Sequence, residues 1–343
     1  MLRFRILVFC LLILILVGCT NHDDNTVVVP QNEQETISSV MPERVKQTKA
    51  QTEATTEATT EAPTEQDVAF KEVLGLTLHE YEFPSMDGST ATIPLGEAIA
   101  ALMMGKNREE CKQYTEFTGT NTAYKRLMDN AADIIVVYEQ PDDAAEYKPD
   151  TILESAAIGS DALVFMVNVQ NPIESLTAQQ VVDIYSGKIT NWSEVGGEDA
   201  DIAAYQRNAT SGSQTLMAKL VMGDTPMMAS RENLIAYGMY DIITAISEYD
   251  NGVNAIGYNV HYYVAEMIKD PNIKIIAIDG VNPSKETIAN GEYPFSNNFY
   301  AVIRMDSSEN SPERRLFRWL QTVEGQALID FEGYAPTIYG ISA

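Results

Sequence analysis

Between residues 133 and 304, short β-rich runs recur with amphipathic stretches between them, and this alternation leaves few architectures open. The runs fall at 133–138, 162–168, 202–205, 255–260, 273–278 and 299–304. Several are continuously apolar, as strands buried on both faces of a mostly parallel sheet must be. Stretches at 121–130, 178–185, 213–222, 239–248, 312–322 and 325–331 carry their apolar residues at helical spacing. Strands alternating with helices predict an α/β fold. The patterned region is long enough that two lobes are expected rather than one sheet.

The N-terminus reads as an address. Arg3 and Arg5 precede an unbroken apolar run from Ile6 to Val17. That is short of the about 20 residues a helix needs to cross ~30 Å of hydrocarbon, and it suits the core of a secretory signal. The run ends in Leu16-Val17-Gly18-Cys19, which resembles a bacterial lipobox. The resemblance implies that residues 1–18 are a lipoprotein signal peptide and that Cys19 becomes the lipidated N-terminus on the extracytoplasmic face of the cell membrane. Cys10 leaves with the signal. Cys111 is then the sole thiol of the body and reads as a small buried apolar residue. Residues 19–67 contain the near-repeat Thr52-Glu-Ala-Thr-Thr-Glu-Ala-Thr-Thr-Glu-Ala-Pro-Thr-Glu65. Its threonines, Pro63 and regularly spaced glutamates oppose a helix, and it cannot bury enough apolar surface to fold. It is expected to be a solvated tether with a reach of roughly 40 Å, which suits a Gram-positive cell surface.

Acidic residues outnumber basic ones 49 to 23, for a net charge of −26. The tether holds ten acids and three bases, so most of the excess belongs to the body. Such a surface repels nucleic acid, and no nucleic-acid partner is expected. His22, His79 and His261 have no zinc spacing among themselves or with the cysteines. There is no Gly-x-Ser-x-Gly elbow and no Ser-x-x-Lys. The chain is therefore expected to be no enzyme and to need no metal or cofactor. His261 closes a predicted strand and reads as structural.

Three loops share a chemistry: Asp87-Gly-Ser-Thr-Ala-Thr-Ile-Pro94, Thr118-Gly-Thr-Asn-Thr122 and Arg207-Asn-Ala-Thr-Ser-Gly-Ser-Gln214. Each sets small hydroxyls and a glycine at a predicted helix start, with Pro94 placed at the first helical position. Free backbone N–H groups and the positive dipole end make such a start an anion site. One loop alone is an ordinary N-cap. Three, one with an arginine four residues ahead of Ser211, point to an anion, because a guanidinium fork suits a tetrahedral oxyanion.

Three further segments carry a family resemblance. They are Ile158-Gly-Ser-Asp-Ala-Leu-Val-Phe-Met-Val-Asn168, Asn171-Pro-Ile-Glu-Ser-Leu-Thr177 and the run from Asp183 through Tyr185-Ser-Gly-Lys-Ile-Thr-Asn-Trp192 to Gly197. Together they resemble the central signature of the phosphate-binding lipoproteins of ABC transporters, and the similarity extends over roughly residues 83–343. The resemblance implies a two-lobed type II periplasmic-binding-protein fold, each lobe a mostly parallel sheet flanked by helices, with the ligand cleft at the hinge. The chain would cross near Val167 and return near Asn297. Lobe 1 would then be 83–166 plus 298–343, and lobe 2 would be 167–297.

Matched position by position, the resemblance also implies a ligand set. Thr92 and the backbone N–H of Ile93 would hold phosphate oxygens, with Ser89 and Thr90 beside them. Thr120, helped by Thr122, would supply the second helix start. Arg207, Ser211, the Gly212 backbone and Ser213 would close from the other lobe. Two positions depart from the pattern. Ala209 stands where the family often has an acid, and Glu139 lies one position away from the family's second acidic contact. A carboxylate in such a site excludes sulfate, so a related oxyanion stays open beside inorganic phosphate. The implied protein is a monomer that captures phosphate outside the cytoplasm and delivers it to an ABC permease. The alternative is a surface protein of the same fold used for sensing, adhesion or another oxyanion, without phosphate transport.

Overall fold

The computed structural model describes residues 75–337, except 116 and 248–251. The described residues all belong to one compact unit. The signal peptide, Cys19 and the tether lie outside the described residues. No helix among the described residues is long and apolar enough to cross a membrane.

Twelve strands appear among the described residues, in chain order. They are β1 (Met86–Gly88), β2 (Ile134–Val137), β3 (Leu153–Asn168), β4 (Ser175–Leu176), β5 (Ala203–Ala204), β6 (Gln206–Arg207), β7 (Ile235–Ala236), β8 (Ala255–Val260), β9 (Ile273–Ile275), β10 (Ala277–Ile278), β11 (Ser296–Arg304) and β12 (Ala335–Pro336). The main sheet runs β1-β2-β11-β3-β8-β5, with β12 and β9 also paired to β3. β1 with β2, β5 with β8, β4 with β10 and β6 with β7 are parallel. Every antiparallel pair involves one of the two long strands, β3 or β11. The expected parallel character thus belongs to the strand–helix–strand units, and the long strands are threaded against it.

β3 is where the sheet changes partners. Leu153 to Ala162 face β11, whereas Leu163 to Val167 face β8 and Met166 to Asn168 face β9. Only its second half was legible as a strand. From Ala162 onward every residue is buried, while the first half mixes Glu154, Ser155 and Ser160 with alanines at partial exposure.

The helices follow the predicted stretches closely. Ala178–Tyr185 starts and stops where expected, with Thr177 as its cap accepting from the Gln180 N–H at 3.0 Å. Ile93–Met104 begins one residue early, because the 3₁₀ turn Thr90–Thr92 runs straight into it and Ile93 already has helical angles. Pro94 therefore sits second, where its missing N–H is still harmless. Gly212–Leu216 passes into a π-helical turn, Met217–Met222. Cys111 is buried and unpaired, with burial pushing its thiol pKa up.

The long signature run that carried the family resemblance is a packing device. Trp192 is 1% exposed and its indole N–H donates to the Asn254 carbonyl at 3.0 Å. Lys188 pairs with Asp183, closing the turn after Ala178–Tyr185.

Candidate anion-binding site

β1, β2 and β6 each end in a loop carrying candidate residues, and the second hydroxyl loop, 118–122, opens the helix Thr120–Met128. Polar loops at the carboxyl ends of strands are where ligands sit in open α/β sheets.

At the end of β1, the Ser89 N–H donates to the Val136 carbonyl at 3.0 Å. Thr92 is fully buried, and its hydroxyl is shared between the carbonyls of Ser89 (2.9 Å) and Val136 (2.7 Å). The Ile93 N–H donates to the Thr90 carbonyl. These bonds shape the loop, so the donors implied at Thr92 and Ile93 are engaged within the protein in this state. Tyr334 reaches in from the C-terminal region and donates its hydroxyl to the Ala91 carbonyl at 2.7 Å.

Asp87 staples the first loop to the second. Its carboxylate is fully buried and accepts from the N–H of Gly88 (2.6 Å), the N–H of Thr118 (2.6 Å) and the Thr118 hydroxyl (2.7 Å). The Nε of Arg126 lies 2.8 Å from it. Burial raises the Asp87 pKa above its ordinary value, and the bonds from Thr118 and Gly88 and the Arg126 charge oppose that. A further bond runs from the Gly119 N–H to the Gly88 carbonyl at 3.0 Å. Position 88 admits only glycine, since a Cβ there would fall 2.3 Å from the Phe117 ring and 2.4 Å from the Val136 oxygen. The sequence quoted Asp87 only as part of a loop. Its stapling role was invisible because Thr118 lies 31 residues away.

The third loop centres on Arg207, which is 6% exposed. Its N–H donates to the Gln214 side-chain oxygen and to the Tyr258 hydroxyl oxygen, each at 3.1 Å. Its Nη2 donates to the Tyr237 carbonyl at 3.0 Å. Nε and Nη1 are buried with no partner. Burial lowers the guanidinium pKa, opposed by Tyr258, Asp241 and Tyr263. Ser211 caps the following helix, accepting from the Gln214 N–H at 3.1 Å, and its hydroxyl lies 3.1 Å from that of Ser213.

The second and third loops meet face to face. A Cβ placed on Gly212 would sit 2.8 Å from the Thr120 hydroxyl oxygen. Below them Lys219 donates to the Gln140 carbonyl at 3.0 Å and lies 3.3 Å from Asp142. Ser89, Thr92, Thr120, Arg207 and Ser213 are buried. Thr90, Ser211 and Gly212 are half-buried, whereas Thr122, Glu139 and Ala209 are exposed.

The chemistry of this arrangement is that of an oxyanion receptor: two unpaired guanidinium donors, a hydroxyl pair at a helix start and a facing threonine. Residues 85–317 match the family model described as the PBP superfamily domain, and the chain belongs to that family. Its fold is the two-lobed type II binding-protein fold. Among curated proteins it is similar to the phosphate-binding protein PstS of Bacillus subtilis, 28% identical over 61% of this chain and 66% of that one. It is also similar to PstS of Borreliella burgdorferi, 21% identical over 73% of this chain and 88% of that one. Among solved structures it resembles a putative phosphate ABC transporter substrate-binding protein with bound phosphate from Clostridium perfringens. That match has 25% identity and a TM-score of 0.58, over 73% of this chain and 98% of that one.

Proposed function

We propose that the protein captures inorganic phosphate between its two lobes for delivery to an ABC permease, acting as a carrier rather than an enzyme. The observation that carries this reading is Arg207: a buried guanidinium with Nε and Nη1 unpaired, on the loop that also carries the Ser211–Ser213 hydroxyl pair. Leaving such donors buried and unmet costs about 1–3 kcal/mol each, and a tetrahedral anion would meet both. The relatives' names, the phosphate-binding protein PstS, support phosphate as that anion.

In this reading lobe 1 supplies Ser89, Thr90 and Thr120, and lobe 2 supplies Arg207, Ser211, Gly212 and Ser213. We place the lobe boundary within β3, between Ala162 and Leu163, where the strand changes partners. This is four residues ahead of the Val167 crossing implied by resemblance. Ligand favours closure because it touches both lobes only when they are together. Cys19 carries the lipid and residues 20–67 the tether, holding a monomer at the outer face of the membrane.

A second reading is favoured by one observation: Ala209 and Glu139 are both exposed, so neither brings a carboxylate into the buried set. Sulfate would then compete with phosphate. Titration calorimetry of the full chain with each anion tests both readings. Heat with phosphate alone supports the first, equal affinities support the second, and no heat with either leaves a surface role without transport. The mass of the membrane-extracted protein tests lipidation at Cys19.

A further inference from the structure

Asp161 sits one residue ahead of Ala162, the last residue of β3 before its partners change, and none of the candidate ligand contacts uses it. Its carboxylate is 2% exposed and accepts three hydrogen bonds. Oδ2 takes the Tyr138 hydroxyl at 2.6 Å. Oδ1 takes the N–H of Ala162 at 2.8 Å and that of Tyr262 at 3.1 Å. Tyr138 follows β2, whose Val136 carbonyl holds the first anion loop. Tyr262 follows β8 in the other lobe. One carboxylate therefore ties together the carboxyl ends of a strand from each side.

The tie continues to the anion loop itself. The Tyr262 ring stacks on Tyr334 at 3.6 Å and 13°, and its hydroxyl donates to the Glu332 carbonyl at 2.9 Å. Tyr334 in turn donates to Ala91 within the first loop. A cavity of about 380 Å³ lined by Asp161, His261, Tyr262, Lys285 and Tyr334 opens beside the stack. Beside it, the hydrogen bonds and the ring stack join the two sides.

We infer that Asp161 is a positioning residue for anion capture: by fixing Tyr262 it holds the Tyr262–Tyr334 stack closed and so sets the first loop in its binding shape from across the hinge. The inference takes the lobes and loops of the proposed function as its frame. Its first readout needs no phosphate. Asn at 161 keeps an oxygen for the two N–H groups but must reverse its bond with Tyr138. Ala keeps nothing. Tyr334→Phe removes only the bond to Ala91.

The experiment is hydrogen exchange on the ligand-free full chain, followed by phosphate titration. Asp161→Ala should speed exchange at Ala162 and Tyr262 and also, by about tenfold, at residues 89–93, which are in the opposite lobe from Tyr262, as loss of one charge-assisted buried bond allows. Tyr334→Phe should speed 89–93 alone, and Asp161→Asn should fall between. The phosphate Kd should rise roughly tenfold in the Ala variant through a smaller closed population. Acceleration confined to 162 and 262, with an unchanged Kd, overturns the inference. If wild type binds no phosphate, the proposed function fails and the exchange arm still decides. If the Ala variant does not fold, wild-type exchange at 89–93 in both Asp161→Asn and Tyr334→Phe overturns it.

Discussion

Replacing Arg207 with methionine separates binding from stability, because the two should move in opposite directions. Methionine fills much of the same volume and removes the two unpaired buried donors, Nε and Nη1, which cost about 1–3 kcal/mol each while unmet. It also removes one real bond, from Nη2 to the Tyr237 carbonyl, worth ~1 kcal/mol. The net change for the ligand-free protein is a gain of roughly 1–5 kcal/mol, or about 2–20 °C in melting temperature for a body of this size. With phosphate the sign reverses. Two charge-assisted bonds at about 1.5–3 kcal/mol apiece disappear, so the Kd should rise by about 10²–10⁴. Wild type at a thousandfold excess of phosphate over its Kd should gain ~4 kcal/mol, and the variant should gain almost none at the same concentration. Paired thermal melts of both proteins after exhaustive dialysis, with and without phosphate, give all four numbers. If the variant melts lower than wild type by the same amount in both conditions, Arg207 is a structural residue and the reasoning fails.

Gly212→Ala puts a methyl 2.8 Å from the Thr120 oxygen, so it should weaken phosphate binding by roughly tenfold while leaving the ligand-free melt nearly unchanged. Calorimetry showing wild-type affinity would mean the two loops do not have to approach this closely. Ala209→Asp adds the acid that the resemblance implies at that position and should shift the phosphate-to-sulfate preference toward phosphate by roughly tenfold or more; competition titration reads this directly, and an unchanged preference would place the exposed position 209 outside the site. Asp87 has a folded pKa above its ordinary 3.8, with burial the first cause. A carboxyl raised on folding stabilises fully below its unfolded pKa, and that contribution is lost as pH rises through the folded value. Asp87→Asn should therefore flatten the pH dependence of the melting temperature from about 3.8 upward. A difference from wild type that stays constant across that window would contradict the assignment.

Much was legible from local chemistry. The apolar runs at 134–137 and 255–260 and the helix at 178–185 could be read because periodicity and capping act over neighbours along the chain. Thr120, Arg207, Ser211 and Ser213 stood out for the same reason, since a hydroxyl-rich helix start announces itself within five residues. Thr122 and Glu139 lay beside these features but are exposed, because spacing along a chain says nothing of which way a turn faces once it docks.

The sequence by itself determined the class of fold and marked the loops and the arginine that we propose hold the anion, all of which reside in short segments. Only the tertiary structure decided how the donors are shared out. Thr92 gives its hydroxyl to Val136, 44 residues on. Asp87 and Asp161 reach across 31 and 101 residues to hold loops and hinge. Arg207 is left with two donors to spare because no neighbour claims them. Hydrogen-bond partners and burial are properties of what folding brings together, and a buried group's partner can lie anywhere along the chain.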